Sequence, residues 1–263
     1  MKLRIGEIPY ANLFPIFYML RKEADCSGYE FIEGVPSELN RRLRMGEVDV
    51  SPSSSIEYLR SRGRYTLIEG HSISSAGPVG SILLFSKRPI EALEGLTILT
   101  SSQSETSVAL LTIILRKFYE TDCRLQPTSS PLEEALRSHE ACLLIGDDAL
   151  REAFQWPELL VYDLGDLWYK NTGLPSVFAL WIARRELAEE HPELLGRLRS
   201  DLDRSKASAL GQLDLIAAHS PLRHLLSEES LISYWRSISY DLTDTHRKGL
   251  ELFGSYGREL GLF

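Results

Sequence analysis

At 263 residues, with 43% apolar and 25% charged side chains, the chain can bury one large core or two smaller ones. Its net charge of -8 argues against nucleic acid as the partner, because phosphate backbones need a basic face. The same charge repels small acids at long range, so an anionic ligand has to be captured by local donors.

The opening segment carries Lys2 and Arg4, but Glu7 and Pro9 interrupt it before any apolar leader develops. It reads as a strand followed by a turn, and the longest apolar runs, such as residues 177–183, are too short to cross a membrane. Cys26, Cys123 and Cys142 are odd in number and far apart, which suits free thiols in a reducing cytoplasm and forms no zinc or redox motif.

In chain order, residues 3–8 predict a strand, 9–15 a turn, and Phe17, Leu20 and Arg21 a helix. A strand at 29–33 is followed by a helix that starts at Pro36 and carries Leu39 and Leu43, with Gly46 placed to end it. Residues 48–50 begin a strand, Ser53, Ser54 and Ser55 cap a helix with Ile56 and Leu59, and Gly63 closes it. Strands are then predicted at 65–69, 80–85 and 98–100, an apolar helix at 108–119, and a short strand at 124–127. A short helix at 131–139 leads to a buried strand at 141–145, a helix start at Gly146, and strands at 159–163 and 177–183. Beyond Arg184 the pattern is helical to Phe263, with Leu213, Leu215, Ile216 and the apolar positions around Trp235 reading as core.

Alternating strands and helices followed by a helical tail predict an α/β protein with mostly parallel sheets. Residues 80–87 and 175–184 are extended and apolar, as strands crossing between two lobes would be. The expected division is 1–87 with 176–263 in one lobe, and 88–175 inserted as the other.

In open α/β sheets, ligands gather beyond the carboxyl ends of strands, where helix N-termini aim free N–H groups. The strand exits here are small and hydroxylated: Asn12; Gly34 to Ser37; Ser51 to Ser55; the run Ser101, Ser102, Gln103, Ser104, Thr106 and Ser107; Gly146 with Asp147; and Ser81, Thr172 and Gly173 in the crossing segments. Each such turn has a plain structural use, because serine, threonine and aspartate cap helices. Together they predict a cleft of uncharged donors suited to carboxylates. A nucleophile elbow, a phosphate-binding loop and a dinucleotide fingerprint are all missing from the sequence. The six histidines show no metal-ligand spacing, so no metal is expected; His71 reads as a core or rim residue.

The block Ile8-Pro9-Tyr10-Ala11-Asn12-Leu13-Phe14-Pro15 resembles the N-terminus of the chorismate dehydratases of the futalosine route to menaquinone. So do residues 34–40 with Leu43, Gly46, Asp49, Ser53 and Ser54; Ser104, Thr106 and Ser107; residues 143–147 with Ala149 and Leu150; Asp163, Leu164, Gly165 and Trp168; and residues 172–175 with Val177, Phe178, Ala179 and Trp181. The resemblance implies an α/β, two-lobed, periplasmic-binding-protein-like (type II) fold with two crossing strands and a C-terminal helical segment. It also implies a cytoplasmic hydro-lyase that uses no cofactor, has no nucleic-acid or membrane partner, and converts chorismate to 3-[(1-carboxyvinyl)oxy]benzoate. By motif it implies that Asn12 and Ser81 act in turnover, with Ser72, Ser74, Ser75 and Ser86 standing near the second. Ser37, Ser53, Ser54, Ser102, Ser104, Thr106, Ser107, Gly146, Asp147, Thr172 and Gly173 are then the expected substrate contacts. Ser176 departs from the pattern, where a larger apolar residue is expected. The competing readings are the sister dihydroxynaphthoate-forming enzyme of that pathway, a non-catalytic solute-binding protein, and the effector half of a transcription regulator.

Overall fold

A computed structural model describes every residue except Gln103 and Leu225. Gln103, one of the strand-exit residues, therefore lies outside the described residues. The chain begins β1 (Leu3–Glu7), α1 (Phe14–Glu23), β2 (Tyr29–Glu33), α2 (Pro36–Arg44), β3 (Val50–Ser54), α3 (Ser55–Arg60) and β4 (Tyr65–Ser75). It continues β5 (Ile82–Ser86), β6 (Thr97–Ser101), α4 (Glu105–Phe118), β7 (Arg124–Thr128), α5 (Leu132–Ser138), β8 (Ala141–Ile145), α6 (Gly146–Glu152), β9 (Leu160–Asp163) and α7 (Leu164–Thr172). It ends β10 (Ser176–Arg184), α8 (Arg185–Glu190), α9 (Pro192–Gly211), α10 (Leu213–His219), α11 (Glu228–Ser237) and α12 (Asp244–Glu259).

The strands form two five-stranded sheets, ordered β2-β1-β3-β10-β4 and β7-β6-β8-β5-β9. Each is built around parallel neighbours with an antiparallel strand added: β1 runs parallel to β2 and β3 while β10 runs antiparallel to β3. In the second sheet β6 runs parallel to β7 and β8, and β5 runs antiparallel to both β8 and β9. Asp49 ties the first sheet together just before β3. Its buried carboxylate accepts the Arg4 N–H at 3.0 Å, Arg4 Nη2 at 2.7 Å and Arg184 Nη2 at 3.0 Å.

The chain divides into unit 1, Met1–Ser74 with Val177–Thr243, and unit 2, Ser75–Ser176 with Asp244–Phe263. This differs from the expected division in two places. The segment expected as the first crossing strand is β5, whose Ile82, Leu83, Leu84 and Phe85 are all buried because it lies inside the second sheet between β8 and β9. An interior strand covered on both faces is as apolar as a crossing strand, and the sequence pattern cannot tell them apart. The last helix, α12, belongs to unit 2, where Trp168 of α7 meets Phe253 and Tyr256 edge-on with centroids 6.2 and 6.3 Å away. A methyl group on Gly249 would stand 2.1 Å from the Pro175 carbonyl oxygen, so only glycine permits that approach.

Two further differences bear on the site. Residues 51–54 are strand rather than turn, because Ser51, Ser53 and Ser54 pair with Ile182, Leu180 and Ala179 of β10. Residues 164–172, assigned no element from the sequence, form α7, capped by the Asp163 side chain. His71 lies within β4 and is buried, as a core residue would be, against α9 with Nε2 3.1 Å from Asp203 Oδ1, outside hydrogen-bond direction. Leu213 and Ile216 are core, whereas Leu215 is exposed.

Candidate functional site

In unit 1, β1, β2 and β3 are parallel, so their carboxyl ends share one edge of the sheet. That edge carries Asn12, the start of α2 and the end of β3. The turn holding Asn12 is closed by Tyr10 N–H to Ile8 O at 2.9 Å and Leu13 N–H to Tyr10 O at 3.1 Å. Ala11 and Leu13 are buried on either side of it. Two side chains from the C-terminal half complete the turn: Trp235 Nε1 donates to Ala11 O, and the Tyr240 hydroxyl donates to Asn12 O, each at 2.8 Å. The Asn12 side-chain oxygen is withdrawn from solvent and has no hydrogen-bond partner among the described residues.

The serine run of β3 separates by role. Ser51 Oγ donates to Pro52 O at 3.2 Å and Ser55 Oγ to Val177 O at 2.6 Å, so both hydroxyls serve the fold. Ser54 Oγ accepts from Asn40 Nδ2 at 3.1 Å. Ser53 is wholly buried, and its hydroxyl has no partner among the described residues; the same holds for Asn40 Oδ1. Ser37 is exposed in the first turn of α2, whose N-cap, Val35, supplies no side-chain bond. A pocket of about 580 Å³ borders the turn between β1 and α1, lined by Ile8 to Ala11, Phe14, Tyr18 and residues 220–222.

In unit 2 the carboxyl ends of β6 and β8 share an edge with the amino end of the antiparallel β5. Ser81 is buried there, and its carbonyl accepts the Gly146 N–H at 2.8 Å. Gly146 has φ +59°, a left-handed conformation that favours glycine. Asp163 fixes the approach to Ser81: Oδ2 accepts Val79 N–H at 2.9 Å and Gly80 N–H at 2.6 Å, while Oδ1 accepts Gly165 and Asp166 N–H at 2.9 and 3.1 Å. Burial nevertheless wins over these four bonds and pushes the Asp163 carboxyl above its ordinary range.

The serines near Ser81 have structural tasks. Ser72 Oγ donates to Asp241 O, Ser74 Oγ to Ser239 O, Ser75 Oγ to Gly77 O and Ser86 Oγ to Arg88 O, at 2.5, 3.1, 2.9 and 2.7 Å. Ser104 is the N-cap of α4: its Oγ accepts the Ser107 N–H at 3.2 Å and lies 3.0 Å from Ser107 Oγ. Thr106 and Ser107 are buried in the first turn of α4; Ser102 is exposed and Asp147 half-buried. Thr172 and Gly173 stand apart from this group. They end α7, which starts at the shared edge beside Asp163, so they lie roughly 13 Å further along its axis. The Thr172 hydroxyl donates to Trp168 O at 2.8 Å and accepts the Leu174 N–H at 3.1 Å, and Gly173 is the left-handed cap. A helix end of this kind presents carbonyls rather than N–H groups.

Sequence reasoning left Asn40, Asp163, Trp235 and Tyr240 out of the site. A signal existed for Asn40, a polar residue between Leu39 and Leu43 on the buried face of α2. The others act through long-range bonds that no local pattern encodes. Among the described residues, no group of three or more His, Cys, Asp or Glu side chains is arranged to hold a metal ion. No helix among them is long and apolar enough to cross a membrane.

The arrangement collects neutral donors and acceptors at the sheet edges of each unit, and comparison with known proteins gives it a context. A family model described as "Menaquinone biosynthesis" matches residues 3–259. A chorismate dehydratase of Thermus thermophilus is 33% identical over 95% of this chain and 93% of its own. A 1,4-dihydroxy-6-naphtoate synthase of the same organism is 29% identical over 83% of this chain and 79% of its own. Among solved structures, the periplasmic aliphatic sulphonate binding protein of Escherichia coli superposes with a TM-score of 0.72 at 14% identity, covering 99% of this chain and 88% of its own. The chain thus has the periplasmic-binding-protein fold and belongs to the menaquinone-biosynthesis family.

Proposed function

We propose that the chain is a chorismate dehydratase, a hydro-lyase that removes one water from chorismate to give 3-[(1-carboxyvinyl)oxy]benzoate on the futalosine route, in the cytoplasm and without a cofactor. The observation that carries this reading is the 33% identity to the Thermus thermophilus chorismate dehydratase along 95% of the chain. The 1,4-dihydroxy-6-naphtoate synthase matches at lower identity and over a smaller share of both chains. Three unpaired cysteines support the cytoplasmic setting.

The chemistry asks little of strong acids or bases. Loss of the ring proton beside the ether, with the neighbouring hydroxyl, makes the ring aromatic, so the driving force lies in the substrate. The ring carboxylate activates that proton through the conjugated ring, and hydrogen bonds to the carboxylate stabilise the charge that develops. Ser53, Ser54, Thr106 and Ser107 are assigned to the two carboxylates. A buried Ser53 hydroxyl without a partner is a donor held ready for an anion. The Asn12 side-chain oxygen, also without a partner, accepts the hydroxyl that departs as water. Ser81, fixed between the Asp163-bound amides and Gly146, contacts that hydroxyl or the enolpyruvyl group. The ring proton passes to a substrate carboxylate, which delivers it to the hydroxyl as the carbon–oxygen bond breaks, so that one water leaves. Ser37, Ser102, Ser104, Gly146 and Asp147 complete the contacts or shape them; Thr172 and Gly173 act through α7.

The test is to incubate purified protein with chorismate alone and follow product mass. Loss of one water is the expected result. Untouched chorismate, with cleavage of a larger futalosine-derived substrate, would establish the synthase activity in its place.

A further inference from the structure

We propose that Trp235 and Tyr240 are positioning residues that aim the Asn12 side chain; this rests on the reading that Asn12 works in turnover. The turn carrying Asn12 fixes its own peptide planes only in part: Tyr10 O accepts Leu13 N–H at 3.1 Å and Ala11 O accepts Phe14 N–H at a long 3.3 Å, ahead of the regular ladder of α1. Two consecutive carbonyls are also gripped from outside by shorter bonds, Ala11 O by the Trp235 indole N–H and Asn12 O by the Tyr240 hydroxyl, each at 2.8 Å. Each donor is itself held. Trp235 is fully buried and stacks on Phe14 at 6.3 Å with 22° between the rings. Tyr240 belongs to a short extended segment that joins the edge of β4: Ser239 and Ser74 exchange backbone bonds of 2.8 and 3.0 Å, and Ser72 N–H donates to Tyr240 O at 3.0 Å.

Buried indole and phenol groups need acceptors, and many carbonyls would satisfy that need. Here both acceptors flank the Cα of one residue, whose side-chain oxygen is left without a partner among the described residues. Rotation of either peptide plane would swing that side chain, so the two bonds set the direction in which Asn12 presents its amide. The Asn12 side chain is thereby held for a ligand by bonds it does not itself make.

Tyr240→Phe removes a single hydroxyl and is the decisive variant, with Trp235→Phe as an independent second. Either should lower kcat for chorismate on the order of ten-fold while KM stays within about two-fold, because aim and not affinity is lost. In an Asn12→Ala background the same substitutions should change the residual rate no further. A variant that lowers the rate by the same factor in both backgrounds, or keeps full kcat while Asn12→Ala is impaired, overturns the positioning role alone. Full turnover by Asn12→Ala removes the role of Asn12, and the inference falls with it.

Discussion

A serine hydroxyl buried without a partner costs about 1–3 kcal/mol, and Ser53 carries that cost in the middle of a sheet. Ser55, two positions away, shows that the local backbone readily supplies an acceptor, since its hydroxyl reaches Val177 O at 2.6 Å. The absence of a partner at Ser53 is therefore a feature of one position and not of the strand. Ser53→Ala should leave thermal stability unchanged or raise it by about 1 kcal/mol, while KM for chorismate rises about ten-fold. A thermal melt and a Michaelis curve on one preparation decide it; a destabilised variant with normal KM would make Ser53 structural. Asn12 has the same signature, with an acceptor left without a partner among the described residues instead of a donor. Asn12→Asp keeps the shape and adds a negative charge beside a dianion, so kcat/KM should fall about a hundred-fold or more. Full turnover by that variant would count against Asn12 as a contact of the departing hydroxyl.

Asp163 connects elements that are distant in sequence: one carboxylate oxygen caps α7 and the other holds the Val79 and Gly80 amides ahead of Ser81. A methyl on Gly165 would stand 2.7 Å from Gly77 O and from Ser75 Oγ, so the loop before Ser81 lies tightly against the start of α7. Asp163→Ala leaves four N–H groups without their acceptor and should cost about 3 kcal/mol by urea unfolding, with a fall in kcat as Ser81 loosens. Equal stability and rate would remove the strut from the account. This junction also marks how far the sequence is legible. The strands at 29–33 and 141–145 stand where periodicity predicts them, because their apolar patterns are local. Helix α7 escapes notice, since a glycine in its first turn weakens its propensity and its cap is shared with a distant loop. Likewise β4 runs on through Gly70, which has φ +85° and reads as a stop, and residues 51–54 look like a turn until β10 arrives to pair with them. Asn12 is legible because it follows a local strand, and Ser53 within β3 and Ser81 just ahead of β5 are legible because they adjoin local strand patterns. The residues that aim them are not, because Tyr240 lies 228 positions from Asn12 and Asp163 lies 83 from Gly80.

For the whole molecule, charge is felt through pH and through salt. Burial, reinforced by Lys206 and opposed by Asp203, pushes His71 from its ordinary 6.5 down to about 4. Between those values the unfolded chain takes up a proton that the folded chain refuses, so stability should fall as pH drops from about 6.5 to about 4. Asp49 adds a second stage: burial raises its pKa, but Arg4 and Arg184 prevail and hold it below the usual carboxylate range. Its contribution is present above the unfolded value of 3.8 and is lost below it. His71→Asn should flatten the upper stage of urea unfolding measured from pH 7 to 4, and an unchanged slope would take His71 out of the account. Salt tests the capture of the substrate. With a net charge of -8 the protein repels a dicarboxylate before any donor is in reach. That repulsion extends about 30 Å at 10 mM salt and about 8 Å at 150 mM. Raising sodium chloride across that range should therefore increase kcat/KM for chorismate about two-fold and leave kcat flat, opposite to an enzyme that steers its anion in with a basic rim. A decrease in kcat/KM would reveal such a rim and contradict capture by neutral serines and asparagine, since hydroxyl and amide donors act at contact distance where mobile ions screen little.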